Sequence, residues 1–591
     1  MKRLSNDPPN SGEPIMHTLM GKALSRRGLL RTAGVLGIAG IAGTLLEACG
    51  GSSNNTPASG STTTSGSTSS GTSSSTASSG SSASPAATSA STTASSGGAA
   101  NPNATLTIPL ISNPTPNPIT LPGGLSSILL NKNLFGQLVR PDATTDQPVP
   151  DHAEKWDISD DGKTYTFHLR SNIKWHNGDP FTADDVKFTF DTTQDKNVNA
   201  AFLNNLGPFT GATVVDPQTV TLALSEPYAP FLVMLQYNIM FIPKKLLTGV
   251  DMNKPVDFIQ NPVGTGAYKW KEFVSGDHVT LVANPDYWDG APKIGTVVYK
   301  ILPDINTQVA QLRTGEADIV MIEPSMADSL QSAPNIVINT AKQTNYYYLA
   351  INNSNPLFSD ARVRQAMAYG LDRETLLKTV MRGKGSVANG PISPPMDWAY
   401  PADQQPYPFD VDKAKQLLKD AGCTTENGKL MKDGKPFDFR ILLDVGNPTR
   451  QAFALAAQQY YQKLGMNPTI DSEEFNKWYD MSSKSDYDIG VFWWITPPDP
   501  DALYSGYSDD NTDKYKNADV DQMFADGRKA LTQDERKTTY AKLQQKLYED
   551  QVDVFILYPL EFRAIAKRVQ GMPGIGIRDA LYYTYKMTVS S

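Results

Sequence analysis

Residues 439–443 (FRILL) and 489–495 (IGVFWWI) are apolar runs that predict two strands, and residues 449–465 (TRQAFALAAQQYYQKLG) predict a helix between them. Another helix is predicted before the first strand, at residues 410–422 (DVDKAKQLLKDAG), where Asp410 is a typical capping residue. Helices and strands therefore alternate along this stretch. Such an order predicts a mainly parallel sheet covered by helices, which is an α/β fold.

The same alternation continues upstream of this stretch. Thr307 is expected to cap a helix that Gly315 closes, and residues 317–322 (ADIVMI) then predict a buried strand. Asp360 and Asp372 each precede a run of apolar residues at helical spacing. The α/β organisation is therefore expected through most of the folded body.

Candidate binding residues follow two of the predicted strands. In open α/β sheets, ligands bind beyond the carboxyl ends of the strands. Glu323 follows one strand, and Trp493 and Trp494 end another. Since successive strand residues face opposite sides of a sheet, at most one of the two tryptophans is expected to face a cleft from this strand.

Composition excludes several functional classes. The 591-residue chain has 61 acidic and 53 basic residues, a net charge of -8, which argues against nucleic acid as a partner. Two cysteines and five histidines provide neither a disulfide framework nor a multi-cysteine zinc site. The body contains no G-x-S-x-G, P-loop or H-E-x-x-H motif, so no catalytic residue, cofactor or metal is predicted.

The N-terminal region resembles an export signal. Arg26 and Arg27 open an apolar run that reaches Ala48, as in a twin-arginine signal. The run ends in LEAC, which resembles a lipobox whose Cys49 is lipidated, although Glu47 departs from the usual small or apolar residue. Residues 1–48 are therefore expected to be a lipoprotein signal. The alternative is an uncleaved transmembrane anchor.

Residues 49–103 predict a disordered linker. After Cys49 the segment is almost wholly Ser, Thr, Gly and Ala, without aromatic or charged side chains, and cannot bury a core. As a random coil of this length its mean span is about 40 Å. It would hold the folded body away from a membrane surface.

Several motifs carry a family resemblance. They resemble the signature of the dipeptide/oligopeptide/nickel class of extracellular solute-binding proteins of ABC importers. They are LVRP (138–141), PDHAEKW (150–156), DGKTYTFHLR (161–170), WHNGDPFTADDV (175–186), GTGAY (264–268), NPDYW (284–288), LRTGEAD (312–318) and FSDARVRQAMAYGLDR (358–373).

The resemblance implies a two-lobed, periplasmic-binding-protein-like fold of type II, in the large class with an extra subdomain. Lobe I would comprise residues 104–340, with the extra subdomain at about 126–262, and the chain would return to lobe I at 561–591. Lobe II would comprise residues 341–560. Closure of the lobes would remove water from a ligand held between them.

The resemblance also raises a question about the ligand. Peptide binders of this family hold the ligand's amino group with an Asp three residues after a Trp at this strand, where the present chain has Thr496. Asp499 or Asp501 could supply the missing charge, and Arg450 could meet a carboxylate. Trp493, Trp494 and Tyr347 instead offer the aromatic surfaces that suit an oligosaccharide.

The expected function is substrate capture for an ABC importer. The protein would be a monomeric lipoprotein on the extracytoplasmic face that delivers peptides or similar oligomeric solutes to a permease and ATPase complex. An oligosaccharide ligand is the first alternative. A secreted hydrolase and a receptor-coupled sensor are the others.

Overall fold

The computed structural model describes residues 101–121, 124–201, 203–494, 497–508 and 511–590. The predicted export signal, with Arg26, Arg27 and Cys49, lies outside the described residues, as does most of the predicted linker. The first strand begins at Asn101, so the last three residues of the predicted linker, 101–103, belong to it.

Strands and helices alternate through the described part of the chain. The strands are β1 Asn101–Leu110, β2 Val139–Pro141, β3 Pro148–Pro150, β4 Ala153–Ile158, β5 Thr164–Leu169, β6 Phe209–Asp216, β7 Thr219–Leu224, β8 Tyr268–Val274, β9 His278–Ala283, β10 Ile294–Ile301, β11 Ile319–Ile322, β12 Ile336–Lys342, β13 Tyr346–Ile351, β14 Gly385–Val387, β15 Thr424–Glu426, β16 Lys429–Lys432, β17 Lys435–Pro436, β18 Asp438–Asp444, β19 Asn467–Glu473, β20 Ile489–Trp494, β21 Val554–Ala566, β22 Val569–Gln570 and β23 Thr588–Val589.

The helices differ widely in length. They are α1 Gly124–Leu134, α2 Ala183–Gln194, α3 Phe231–Asn238, α4 Lys244–Leu247, α5 Val256–Gln260, α6 Ile305–Thr314, α7 Pro324–Gln331, α8 Ala361–Tyr369, α9 Arg373–Thr379, α10 Val411–Asp420, α11 Pro448–Lys463, α12 Phe475–Ser483, α13 Tyr504–Tyr507, α14 Ala518–Lys529, α15 Gln533–Asp550 and α16 Ile577–Ala580, with 3-10 helices at Leu203–Leu206, Pro500–Leu503 and Leu581–Lys586. No helix in the described ranges is long and apolar enough to cross a membrane.

Two four-stranded sheets lie in the N-terminal half of the body. One has the order β1-β10-β9-β8, in which β1 runs parallel to β10. The other is an antiparallel sheet with the order β4-β5-β7-β6. The second of these sheets has its own apolar core, whose buried members extend from Leu138 to Phe241. Its residues span a shorter range than the 126–262 predicted for the extra subdomain.

The largest sheet has eight strands, in the order β11-β21-β13-β20-β18-β19, with β12 and β14 also paired to β21. Strand β18 is parallel to β19 and β20, but all pairings of β13 and β21 are antiparallel. The prediction of a mainly parallel sheet is therefore wrong outside that edge. The order of helices and strands along a chain does not determine whether neighbouring strands run parallel or antiparallel.

Strand β21 links two separate apolar cores. Its residues 562–565 pair with β11, whereas residues 554–557 pair with β13. One core includes Phe562 and the β1–β10 region, and the other includes Leu557 and extends back to Leu349. Beside the changeover, Gln343 Nε2 donates a hydrogen bond to Glu561 Oε2 at 2.8 Å. The chain thus passes between the two cores near residues 342–346 and 558–561.

Helix capping was partly predictable. The side chains of Asp360, Asp372 and Asp410 each accept a backbone N–H bond at the start of α8, α9 and α10, as predicted. Helix α6 begins earlier than predicted because Asp304, not Thr307, is the cap. Helix α11 likewise begins at Pro448, since the preceding Asn447 is its cap.

Candidate ligand cleft

Polar side chains gather where three neighbouring strands end. Because β18, β19 and β20 are parallel, their last residues, Asp444, Glu473 and Trp494, lie at the same edge of the sheet. Glu323 follows β11 directly and begins the turn into α7. This edge is where an open α/β sheet is expected to bind a ligand.

An aromatic surface forms the centre of the site. Tyr347 and Trp493 are directly opposite each other on β13 and β20, and their rings stack with centroids 6.2 Å apart and planes inclined by 23°. Phe453 of α11 supports Tyr347 edge-on, with centroids 5.2 Å apart. The buried indole Nε1 of Trp493 has no hydrogen-bond partner among the described residues. This N–H is therefore unsatisfied but enclosed by protein in the present structure.

The structure describes only the backbone of the neighbouring tryptophan, Trp494. The Trp494 backbone pairs with Tyr346, whose side chain is fully buried in a separate aromatic core. The sequence-based expectation that at most one of the two tryptophans faces the cleft therefore stays a prediction. The side chain of Trp494 and all of Thr496 lie outside the described part of the chain.

Arg450 is buried and already paired. Its Nε donates to Asp444 Oδ1 at 2.5 Å, and its guanidinium lies 5.0 Å from the centre of the Trp478 ring. The positive charge predicted to meet a ligand carboxylate is therefore balanced by Asp444. Neither Asp444 nor Trp478 was predicted, although Asp444 ends a strand, the feature that singled out Glu323.

Glu323 is exposed to solvent and partly surrounded by protein. It is the N-cap residue of α7, but its side chain makes no capping hydrogen bond. Burial raises the pKa of its carboxyl above the usual range, although the residue remains exposed to solvent. A carboxylate in a cleft fits both observations, because surrounding protein displaces much of its water without closing it off.

The charges of Glu323 and Arg450 both reach Tyr347. Burial raises the pKa of the Tyr347 phenol to about 12, and the negative charge of Glu323 adds to this rise. The positive charge of Arg450 acts in the opposite direction. One acidic and one basic side chain therefore act in opposite directions on the pKa of Tyr347.

Asp499 has a structural role in the fold. Its carboxylate is 2% exposed and accepts hydrogen bonds from Arg536 at both oxygens, at 2.7 and 2.8 Å. Asp501 is similarly engaged, by Arg528 Nε at 2.6 Å and the Tyr228 hydroxyl at 2.9 Å. These pairs occupy the two carboxylates that the sequence offered as replacements for an ammonium anchor.

The described ranges contain no group of three or more His, Cys, Asp or Glu side chains that could hold a metal ion. A separate cavity of about 400 Å³ contains none of the predicted site residues. It is lined by Arg373, Glu374, Val387, Gln405, Pro406, Tyr407, Pro408 and Phe409.

The sequence profile of the bacterial extracellular solute-binding proteins, family 5 Middle, matches residues 147–515. The chain belongs to this family. Membership makes it a transport binding protein rather than an enzyme, in agreement with the motif-based prediction. It also agrees with the predicted class of extracellular solute-binding proteins.

Two known binding proteins are similar to this chain over most of its length. The oligopeptide-binding protein AppA of Bacillus subtilis is 30% identical over 426 residues, which cover 70% of this chain and 78% of AppA. The dipeptide-binding protein of Escherichia coli is 28% identical over 491 residues, which cover 77% of this chain and 89% of that protein.

Solved structures confirm the predicted two-lobed fold. The structure of Bacillus subtilis AppA in complex with a nonapeptide has a TM-score of 0.70 and 28% identity, covering 83% of this chain and 100% of AppA. NikZ from Campylobacter jejuni in complex with Ni(L-His) has a TM-score of 0.72 and 27% identity, covering 82% of this chain and 99% of NikZ.

Proposed function

We propose that this family 5 protein captures peptides or similar oligomeric solutes in its cleft and delivers them to an ABC permease and ATPase complex. The observation that carries the proposal is the stacked pair Tyr347–Trp493, which lies where β20 ends. Bacillus subtilis AppA, which shares the fold, is known in complex with a nonapeptide.

The chemistry of the cleft suits a peptide. Stacked aromatic rings bind apolar side chains and peptide planes, and such contacts are worth about 1 kcal/mol beyond the buried area. The unpartnered indole N–H of Trp493 can donate to a peptide carbonyl. Closure of the two lobes would remove water from these contacts and strengthen them.

An oligosaccharide is the second candidate, because sugar rings also stack on exposed aromatic faces. The Tyr347–Trp493 pair supports it equally well. A neutral oligosaccharide has no cationic group, whereas a free peptide has an N-terminal ammonium, so the effect of blocking the ligand's amino group discriminates between the two.

The proposed organisation of the body follows the family pattern. Lobe I comprises residues 104–340 and 561–591, with the extra subdomain within 126–262, and lobe II comprises residues 341–560. The change of strand partners along β21 and the separate core of the β4–β7 sheet support this division. The protein acts as a monomer, which size-exclusion chromatography with light scattering tests.

The proposed location is the extracytoplasmic face of the membrane. Cys49 would be lipidated after export through the twin-arginine route, and residues 49–103 would be the spacer. Cys49→Ala is expected to release the protein into the medium, and continued membrane association would favour an uncleaved anchor. Replacement of Arg26 and Arg27 by Lys is expected to block export, and normal secretion would contradict the assigned route.

The ligand class is tested by affinity capture. The purified protein is incubated with a random tetrapeptide pool or with a pool of neutral oligosaccharides, and retained molecules are identified by mass spectrometry. Peptide retention that falls about tenfold in Trp493→Ala is expected, from the size of an aromatic contact. Phe273→Ala removes an exposed aromatic ring on β8 and is the matched control. Selective retention of oligosaccharides would replace the peptide proposal.

A further inference from the structure

A loop of the extra subdomain contacts lobe II directly. The loop, residues 225–230, connects β7 to α3. Within it, the Ala229 backbone N–H donates a hydrogen bond at 2.8 Å to the carbonyl oxygen of Arg528, near the end of α14. In the division proposed above, the loop belongs to the extra subdomain and Arg528 to lobe II. The contact therefore joins two parts of the body that are far apart in sequence.

The centre of this contact is a buried hydrogen bond. Tyr228 is 5% exposed, and its ring belongs to the apolar core of the extra subdomain. Its hydroxyl donates to Asp501 Oδ2 at 2.9 Å, and Asp501 Oδ1 accepts a hydrogen bond from Arg528 Nε at 2.6 Å. Asp501 is also buried. Loss of the hydroxyl would leave a buried carboxylate oxygen without this donor, which costs more than loss of a bond at the surface.

Weaker contacts surround this bond. Lys529 Nζ lies 2.8 Å from Glu226 Oε2, but both side chains are about half exposed, and such pairs contribute little. Leu531 packs on the turn between β4 and β5, where a Cβ at Gly162 would lie 2.5 Å from its side chain. The hydrogen bond between the buried side chains is therefore expected to contribute most to the contact.

The extra subdomain is also tied to lobe I. Arg140 of β2 donates hydrogen bonds to Asp289 Oδ2 at 2.9 Å and to the Tyr585 hydroxyl at 3.0 Å, and both partners belong to lobe I. Both ends of the subdomain continue into lobe I as well. The subdomain is therefore expected to move with lobe I when the lobes separate.

Separation of the lobes would then break the contact with lobe II. The chain passes between the lobes near residues 342–346 and 558–561, and the contact residues lie outside these segments. The Tyr228–Asp501 bond would form only when the lobes come together. Because it involves neither Tyr347 nor Trp493, it would favour closure to the same extent whichever solute is bound.

We propose that Tyr228 and Asp501 form a clasp that stabilises the closed arrangement of the lobes independently of the ligand. A bond that forms only on closure shifts the equilibrium between open and closed forms, and so raises the affinity for every solute by the same factor. This suits a protein that captures solutes of varied structure. The inference rests on the proposed function and adds to it a device that controls how firmly a solute is held.

The test uses Tyr228→Phe, which removes the hydroxyl and leaves the ring in its core. Tyr515→Phe is the matched control, because the Tyr515 hydroxyl donates to Asp550 Oδ2 at 2.6 Å within lobe II. Lys529→Ala removes the exposed ion pair and is expected to change little.

Hydrogen–deuterium exchange of the ligand-free proteins reports on the contact. It is measured on the segment 225–231, in which Pro227 and Pro230 have no amide proton. The Ala229 amide is expected to be protected in the unmodified protein and to exchange about tenfold faster in Tyr228→Phe, the effect of one hydrogen bond to a charged group. Small-angle X-ray scattering of the same samples is expected to give a larger radius of gyration for Tyr228→Phe alone.

Three results would overturn the clasp. They are unchanged exchange in Tyr228→Phe, equally accelerated exchange in Tyr515→Phe, and faster exchange without a larger radius, which would mean that the loop detaches while the lobes stay together.

Retention of the random tetrapeptide pool separates the clasp from the proposed function. Tyr228→Phe is expected to retain less peptide without a change in the composition of the retained pool, and a changed composition would make Tyr228 a selectivity residue instead of a clasp. If the unmodified protein retains no tetrapeptide, peptide capture is overturned, whereas exchange and scattering still decide the clasp.

Discussion

The ion pair between Asp499 and Arg536 can be used to test whether Asp499 stabilises the fold or binds the ligand. Arg536→Met removes both hydrogen bonds that the guanidinium donates to Asp499 and leaves a carboxylate that is 2% exposed. The backbone N–H of Asp501 remains as a donor at 2.9 Å. Removal of one partner from a buried pair costs about 3–5 kcal/mol, because the other charge stays uncompensated.

The converse change, Asp499→Asn, leaves Arg536 buried beneath Trp398 and Tyr540 and should cost a similar amount. The double variant Asp499→Asn/Arg536→Met removes both charges and is expected to recover at least half of the loss. Denaturant titration of all four proteins gives the free energies of unfolding, and the double-mutant cycle gives the coupling.

Ligand binding by these variants is expected to change little under conditions in which they are folded. A structural role for Asp499 would be contradicted if Asp499→Asn were as stable as the unmodified protein but bound its ligand at least tenfold more weakly. That result would make Asp499 a ligand anchor and not a structural residue.

Two further predictions concern pH and packing. Burial raises the pKa of Asp513 to about 7, above its unfolded value, so the folded protein holds more protons and its stability falls as pH rises from about 4 to 7. The free energy of unfolding of Asp513→Asn should therefore rise relative to that of the unmodified protein between pH 5 and pH 8, by roughly 2–4 kcal/mol. Parallel pH profiles of the two proteins in denaturant titrations would contradict this. A Cβ at Gly264 would lie 1.8 Å from the Leu134 carbonyl oxygen, whereas one at Gly211 would contact nothing within 4 Å. Gly264→Ala should lose at least about 1–3 kcal/mol in thermal or denaturant unfolding and Gly211→Ala very little, and equal losses would disprove the packing argument.

Local patterns gave much of the fold. The caps Asp360, Asp372 and Asp410 were predictable because a capping side chain acts on backbone within three residues. The strand-end rule predicts Glu323 and Trp493 as site residues from the sequence alone, since both depend only on where an apolar run stops.

Long-range partners were not predictable. Asp499 looked like an exposed loop carboxylate because its partner, Arg536, lies 37 residues further along the chain, in α15. The directions of β13 and β21 depend on how the chain passes between the two cores, which the hydrophobic pattern does not contain. Arg450 was predicted to meet a ligand carboxylate because the apolar pattern does not show that Asp444, six residues earlier, would be buried beside it.

The Tyr347–Trp493 cleft is expected to bind a solute without converting it. The most direct measurement is isothermal titration with a ligand eluted from the purified protein, followed by mass spectrometry of the mixture. One bound, chemically unchanged ligand per protein, with affinity reduced about tenfold or more in Trp493→Ala and unchanged in Phe273→Ala, is the predicted result. Turnover of the ligand in proportion to protein would contradict binding without conversion. Equal affinity in Trp493→Ala would contradict binding at the Tyr347–Trp493 cleft.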